Sequence, residues 1–306
     1  MTGKTKVVGI FGDPVTHSLS PAMHNAAFEA LGLDYVYVPF HVKLDNNADL
    51  KKAVEGIRAM NIRGVNVTIP HKEKVIKLLD DMHDSAKDIG AVNTIVNDNG
   101  RLIGYNTDGD GYISGLKEDL KAHGIKDFSL RNKKAVIIGA GGSARAILVC
   151  LIFEVESVII ANRDVKRARK LINALAEKKA MHEMRRTLWE IISENADAVS
   201  LKDISSHLQD ADILINTTPV GMMGIGSLDI DLGKLPDRAV VSDIVYTPLE
   251  TDLLSRARLR GLKTVSGLGM LVHQGAAAFK LWTGVKPDVK IMRDAALEAL
   301  GEKKGQ

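Results

Sequence analysis

Four short polar clusters in this 306-residue sequence hold the side chains best suited to handling a small oxygenated molecule. They are His17-Ser18-Leu19-Ser20-Pro21, Asn66-Val67-Thr68-Ile69-Pro70-His71-Lys72, Asn93-Thr94, and Asn106-Thr107-Asp108-Gly109. Together they offer hydroxyls, amides, one ammonium and one carboxylate, a set that fits a polyhydroxylated, anionic ligand. Lys72 follows Pro70 in the first turn of a helix expected over His71–Met82, where the helix dipole works against a cation. It fits equally well on an ordinary solvated face with Lys74 and Lys77. Ser20 reads as well as a plain helix N-cap, and Asn106 to Gly109 as a turn. His17, His71 and His83 share no spacing suited to metal ligation, so no metal site is expected.

A second chemistry is written in Gly139-Ala140-Gly141-Gly142-Ser143-Ala144, which follows the apolar run KKAVII and opens an apolar helix. The pattern is G-x-G-x-x-A in its strand–turn–helix context. The first glycine permits a tight turn, the second lets backbone amides approach a pyrophosphate, and the third small residue allows close packing of helix on strand. The anion then sits on the helix amino end. The next strand ends in Asn162-Arg163-Asp164, with Arg167 close behind. A guanidinium there suits a ribose 2′-phosphate and favours NADP, whereas Asp164 leaves NAD open.

These residues need elements to position them. VVGIF, YVYVPFHV, GVNVTI, AVNTIV and RLIGYN read as strands, and Pro21–Leu31, Asp49–Met60 and His71–Met82 as helices. Ser20 stands as the expected N-cap of the first helix. Asn99-Gly100 predicts a type I′ hairpin joining two antiparallel strands, so the first domain is α/β with a mixed sheet. After a helix from about Gly111 to Ala122, the pattern becomes regular: KKAVIIGA, SVIIAN, ADILINTTP, RAVVSDIVYTP and LKTVSG are strands with helices between them. Their nearly unbroken apolar character predicts a parallel sheet covered on both faces, a Rossmann-like doubly wound unit. The expected division is 1–110 for the first domain and 111–269 for the dinucleotide-binding domain, with helices again from 270 to 306.

Composition removes other classes. Hydrophobic residues make up 45% and charged residues 26%, as in a soluble globular protein. A net charge of +3 gives no strong field for nucleic acid or anionic lipid, and 4% aromatics are too few for base-stacking platforms. The single cysteine, Cys150, excludes an internal disulfide and fits a reducing compartment. No apolar run is long enough for a signal-peptide core or a membrane span, so the expected location is cytoplasmic.

The motifs GDPVTHSLSP, NVTIPHK, GAVNT, GYNTDGDG, GAGGSARA, the Asn162-Arg163 pair, NTTPVGM, DIVYTPLET and GLGMLVHQ, taken in this order, resemble those of the shikimate dehydrogenases, including the quinate/shikimate dehydrogenases. The resemblance implies NADP-linked, reversible reduction of 3-dehydroshikimate to shikimate in the route to aromatic amino acids. It implies Lys72 and Asp108 as the catalytic pair. Ser18, Ser20, Asn66, Thr68, Asn93, Tyr246 and Gln274, with the pair itself, match substrate positions. Gly139, Ala140, Gly141, Gly142, Ser143, Asn162, Arg163 and Arg167 match the cofactor loop and adenosine-phosphate site, and Met222, Ile244 and Gly267 match positions near the nicotinamide. A threonine usual in the family is replaced by Asp164, and the stretch from about Asp164 to Gln209 matches least. The match at Gln274 implies that the last helices return to the first domain. The partner implied is the small-molecule substrate, with no nucleic acid or membrane, on a monomer or homodimer. Alternatives are a quinate/shikimate dehydrogenase using NAD or both cofactors, and a non-catalytic metabolite-binding relative. A glutamyl-tRNA reductase is set aside, because its nucleophilic cysteine belongs in the amino-terminal domain, whereas Cys150 lies after the glycine turn.

Overall fold

The computed structural model describes residues 1–44, 47–125, 128–176 and 183–301. In chain order the elements are β1 (Lys6–Gly12), α1 (Ser20–Ala30), β2 (Tyr35–His41), α2 (Asn47–Ala59), β3 (Gly64–Val67), β4 (Asp81–Met82), α3 (Asp84–Ile89), β5 (Thr94–Asp98), β6 (Arg101–Tyr105) and α4 (Asp108–Ala122). They continue with β7 (Lys134–Ile138), α5 (Gly142–Leu151), β8 (Ser157–Asn162), α6 (Val165–Ala176), α7 (Glu183–Asn195), β9 (Ala196–Ser200), α8 (Ser205–Leu208) and β10 (Ile213–Asn216). The last are β11 (Val240–Asp243), α9 (Asp252–Leu259), β12 (Lys263–Val265), α10 (Gly267–Thr283) and α11 (Val289–Ala299). Two compact units form: residues up to Gly111 together with those from Val272 onward, and Tyr112–Leu271 between them.

The first unit is built on a mixed sheet in the order β2-β1-β3-β5-β6-β4. β1 pairs parallel with β2 and β3, while β5 runs antiparallel to both β3 and β6. The hairpin forms at the expected dipeptide: Asn99 and Gly100 both have positive φ, 52° and 92°, between Asp98 and its partner Arg101. The helix expected over His71–Met82 does not form. The run gives only a five-residue 3-10 turn at Lys74–Leu78. The Lys72 carbonyl accepts from the Val92 amide at 2.8 Å, and the Asp80 and His83 amides donate to Leu102 and Gly104 of β6. Sheet pairing therefore draws the chain into the short strand β4 and overrides the helical periodicity. Ser20 is not the cap of α1 either. The Met23 amide donates to the Leu19 carbonyl, so the helix begins one residue earlier, and no side chain caps it.

His24 of α1 lies fully buried in the core of this unit, stacked at 4.4 Å and 4° on Tyr37 and more distantly on Phe279 of α10. Neither ring nitrogen has a hydrogen-bond partner, so the imidazole packs as a neutral aromatic ring. Burial pushes its pKa down from 6.5 to about 3. The unfolded chain takes up a proton at this position near pH 6.5 and the folded chain does not, so stability falls as the pH drops below 6.5. At about 1.36 kcal/mol per pH unit, this residue costs about 2 kcal/mol between pH 6.5 and 5. Urea unfolding at the two pH values should show that loss shrinking in His24→Phe. An equal loss in both proteins would refute the assignment.

The second unit holds a wholly parallel sheet in the order β12-β11-β10-β7-β8-β9. Counted within the unit, this is the doubly wound order 3-2-1-4-5-6 read backwards, with its switch point between β7 and β10. β10 and β11 are buried along their length and β7 is buried beyond Lys134, as their apolar sequences require. The poorly matched stretch after Asp164 supplies α6, α7 and the edge strand β9, which pairs with β8. No helix among the described residues is long and apolar enough to cross a membrane.

Candidate active site

In the first unit, the chain leaves β3 through Thr68 and turns at His71, whose amide donates to the Thr68 carbonyl at 3.0 Å. That turn brings Lys72 to Asp108, the first residue of α4. Lys72 Nζ donates to Asp108 Oδ2 at 2.6 Å, with the two side chains 13% and 4% exposed. Asp108 is fixed from two further sides. Asn93 Nδ2 donates to its Oδ1 at 2.8 Å, and its own amide donates to Asn106 Oδ1 at 3.0 Å. The ammonium is thus held by a buried carboxylate whose second oxygen is already engaged.

Behind the pair runs a directed chain of hydrogen bonds. Tyr37 Oη donates to Asn66 Oδ1 at 2.8 Å, Asn66 Nδ2 to Thr94 Oγ1 at 3.0 Å, and Thr94 Oγ1 to Asn93 Oδ1 at 3.0 Å. Asn93 then passes the direction on to Asp108, and its Nδ2 also donates to Thr107 Oγ1 at 2.9 Å. Each donor leaves its neighbour one orientation, so the network fixes amide and hydroxyl rotamers together. Both amide hydrogens of Asn66 are engaged, the second with the Asn93 carbonyl at 3.2 Å. Of its side-chain atoms only Oδ1, which already accepts from Tyr37, can take a further bond, as an acceptor. Gln274 of α10 joins the same network: its Oε1 accepts from Asn93 at 3.4 Å, and its carbonyl accepts from Thr107 Oγ1 at 3.1 Å. Ser18 Oγ accepts from the Ser20 amide at 3.3 Å, and Ser20 is buried. Neither serine has a hydrogen bond to the pair. Thr68 is half-buried, its methyl crowding the position a Cβ on Gly12 would take.

In the second unit, the glycine turn joins β7 to α5 at the switch point. Gly139 has φ +108°, and a Cβ there would lie 2.6 Å from Thr217 Oγ1. That hydroxyl cannot swing aside, because it donates to the Ile138 carbonyl at 2.7 Å. Gly141 caps α5 with no side-chain hydrogen bond, and a Cβ built on it meets nothing within 4 Å. The first turn of α5 thus has no side-chain cap, and the space beside Gly141 is open, as the approach of a pyrophosphate requires. The residues present fit a dinucleotide. Arg163 is exposed at the end of β8, while Arg167 Nε donates to the Ala140 carbonyl at 3.2 Å and so braces the turn. Asp164 accepts from the Lys166 amide at 3.0 Å, and Asn162 donates to the Asp164 carbonyl at 2.8 Å. The carboxylate that left NAD open is thus engaged at the start of α6. Gly267 is pressed against Ile244: a Cβ would meet the Ile244 carbonyl oxygen far inside contact distance. Met222 is exposed, and Tyr246 is half-buried, with burial raising its phenol pKa.

These two glycines separate steric from ligand effects. Gly141→Ala, at an ordinary φ of −103°, should leave thermal stability unchanged and still weaken NADP+ binding, because the methyl would project where the pyrophosphate approaches. Gly139→Ala should weaken both, with a stability loss of about 1–3 kcal/mol from the clash and the positive φ. Paired calorimetric scans and NADP+ titrations check this. A Gly141→Ala protein that binds NADP+ as tightly as wild type would contradict it.

Thr94 and Thr107 stand in the polar clusters that the sequence marks for a small oxygenated ligand, and the fold adds their place in this network together with Tyr37. Tyr37 has no such signal, since in the sequence it reads only as a strand residue.

Comparison with known proteins gives three profile matches in chain order. They are "Shikimate dehydrogenase substrate binding domain" over residues 10–95, "Shikimate / quinate 5-dehydrogenase" over 121–195, and "Shikimate 5'-dehydrogenase C-terminal domain" over 267–297. A shikimate dehydrogenase (NADP(+)) of Methanocaldococcus jannaschii is 43% identical over 304 residues, covering 98% of this chain and 99% of that one. A crystal structure of a shikimate dehydrogenase in complex with NADP+ matches with a TM-score of 0.84 at 42% identity, covering 97% of this chain and 96% of the other. A quinate dehydrogenase from Corynebacterium glutamicum in complex with NAD matches with a TM-score of 0.81 at 32% identity, over 96% and 99%.

Proposed function

The chain belongs to the shikimate dehydrogenase family, and from that premise we propose that it interconverts 3-dehydroshikimate and shikimate with NADP, using Lys72 and Asp108 as its catalytic pair. The observation that carries this reading is the buried 2.6 Å contact of Lys72 with Asp108, since an ammonium poised on a carboxylate is what proton transfer at a ketone oxygen needs. When bound, the nicotinamide supplies the hydride in reduction and takes it in oxidation. Lys72 Nζ gives a proton to the ketone oxygen as that oxygen gains charge, and it takes the proton back from the hydroxyl in the reverse direction. Asp108 orients the ammonium and accepts from the neighbouring hydroxyl. Ser18, Ser20, Asn66, Thr68, Asn93, Tyr246 and Gln274 receive the substrate's carboxylate and hydroxyls. Asn93 has a second duty, because it keeps Asp108 Oδ1 engaged. Gly139 to Ser143, Asn162, Arg163 and Arg167 hold the dinucleotide, and Met222, Ile244 and Gly267 border its nicotinamide.

A kinetic grid of shikimate and quinate, each with NADP+ and NAD+, tests the reading. The expected outcome is the highest kcat/KM with shikimate and NADP+, because Asp164 Oδ1 is taken up by the Lys166 amide and Arg163 is left exposed for a 2′-phosphate. Turnover that is faster with quinate or with NAD+ would reassign specificity, and no turnover in any combination would overturn the proposal.

A further inference from the structure

Asp243 ends β11, and at 1% exposure it is among the most buried carboxylates of the described chain. Its partners are three neutral donors. Oδ1 accepts from Asn216 Nδ2 at 2.9 Å and from the Val245 amide at 3.0 Å, and Oδ2 accepts from Thr251 Oγ1 at 2.8 Å. Burial pushes its pKa up to about 6 against the pull of those donors. An apolar side chain of similar size would serve the core at lower cost, so the contribution of this group is geometric.

The donors come from the end of β10 and from both ends of the loop that follows β11. Asn216 closes β10, and its Oδ1 accepts from Thr218 through both the amide and the hydroxyl, at 2.9 and 2.7 Å. Its Nδ2 also reaches the Val220 carbonyl at 3.2 Å, so one amide shapes the whole Thr217–Val220 turn that leads to Met222. Val245 follows Ile244 directly. Thr251 caps α9 at the far end of the same loop. A direct backbone bond, from the Met223 amide to the Thr247 carbonyl at 2.6 Å, ties the two loops farther out. Asp243 is the side chain common to all three.

We propose that Asp243 is a positioning residue for the cofactor: by accepting three hydrogen bonds it locks the loop after β10 to the loop after β11, and so sets Met222 and Ile244 for the nicotinamide. This rests on the proposed function, through the assignment of Met222 and Ile244. Asp243→Asn turns one acceptor oxygen into an amide group that faces a donor. It should raise the Kd and KM for NADP+ about tenfold, the equivalent of one hydrogen bond to a charged group, with the loss falling on KM rather than kcat. Thr251→Val should raise both in the same way, and Thr251→Ser, which keeps the hydroxyl, should restore them. Loss of the α9 cap alone would lower the melting temperature without moving Kd. If Asp243→Asn fails to fold, the Thr251 pair decides. Wild-type Kd in Asp243→Asn or Thr251→Val, or a Thr251→Ser protein as weak as Thr251→Val, overturns the proposal. A wild-type chain that does not bind NADP+ overturns the proposed function first and this inference with it. A wild-type chain that binds NADP+ and oxidises shikimate, beside variants that bind equally well, overturns only the role of Asp243.

Discussion

Lys72→Ala should turn over shikimate about 10²–10⁴-fold more slowly than wild type, the range expected when a positioned general acid–base is removed. Binding should survive. The remaining network from Tyr37 to Asp108 does not pass through Lys72, and Asp108 keeps its bonds to Asn93 Nδ2 and Asn106 Oδ1. The loss therefore belongs in kcat, with shikimate still saturating the variant at measurable concentrations. Adding a small primary amine should recover part of the rate, because the truncated side chain leaves room for a soluble proton carrier. Steady-state kinetics with and without the amine check both points. Near-normal kcat in the alanine variant would remove Lys72 from the mechanism.

Asp108→Asn is expected to be nearly as damaging for a different reason. The substitution keeps the shape and an oxygen for Asn93, but it sets an amide or a neutral oxygen against an ammonium whose side chain is 13% exposed. An ion pair broken from one side leaves the other charge stranded. Lys72 should then leave its place, and kcat/KM should fall about 10²-fold or more, with KM for shikimate rising as well, because the proposed mechanism has Asp108 accept from the substrate's hydroxyl. The double variant Lys72→Ala/Asp108→Asn should be little worse in kcat than Lys72→Ala alone, since two residues that act as one unit are not additive. Two independent, multiplying losses would show that the 2.6 Å contact is structural and not catalytic.

What the sequence determined by itself is what short-range physics controls. The glycine turn after an apolar run fixes a strand–turn–helix because Gly139 must take a positive φ. Asn99-Gly100 fixes the hairpin because both residues tolerate positive φ. The apolar runs from Lys134 to Val265 could be satisfied only by a sheet covered on both faces, and the parallel sheet follows. What the tertiary structure decided is what depends on partners distant in sequence. The run after Pro70 has helical spacing, but its backbone pairs with Val92, Leu102 and Gly104, so Lys72 precedes a 3-10 turn and is held by a carboxylate 36 residues away, not by a helix dipole. Asp164 looks hostile to a phosphate in the sequence, and in the fold its Oδ1 accepts from the Lys166 amide at the start of α6. Asp243 and Tyr37 read as strand residues until their donors and acceptors arrive from other loops and strands. A side chain's local propensity is a property of its neighbours in the chain, whereas the atom that completes its hydrogen bond is supplied by the fold, and at this site the chemistry depends on the second.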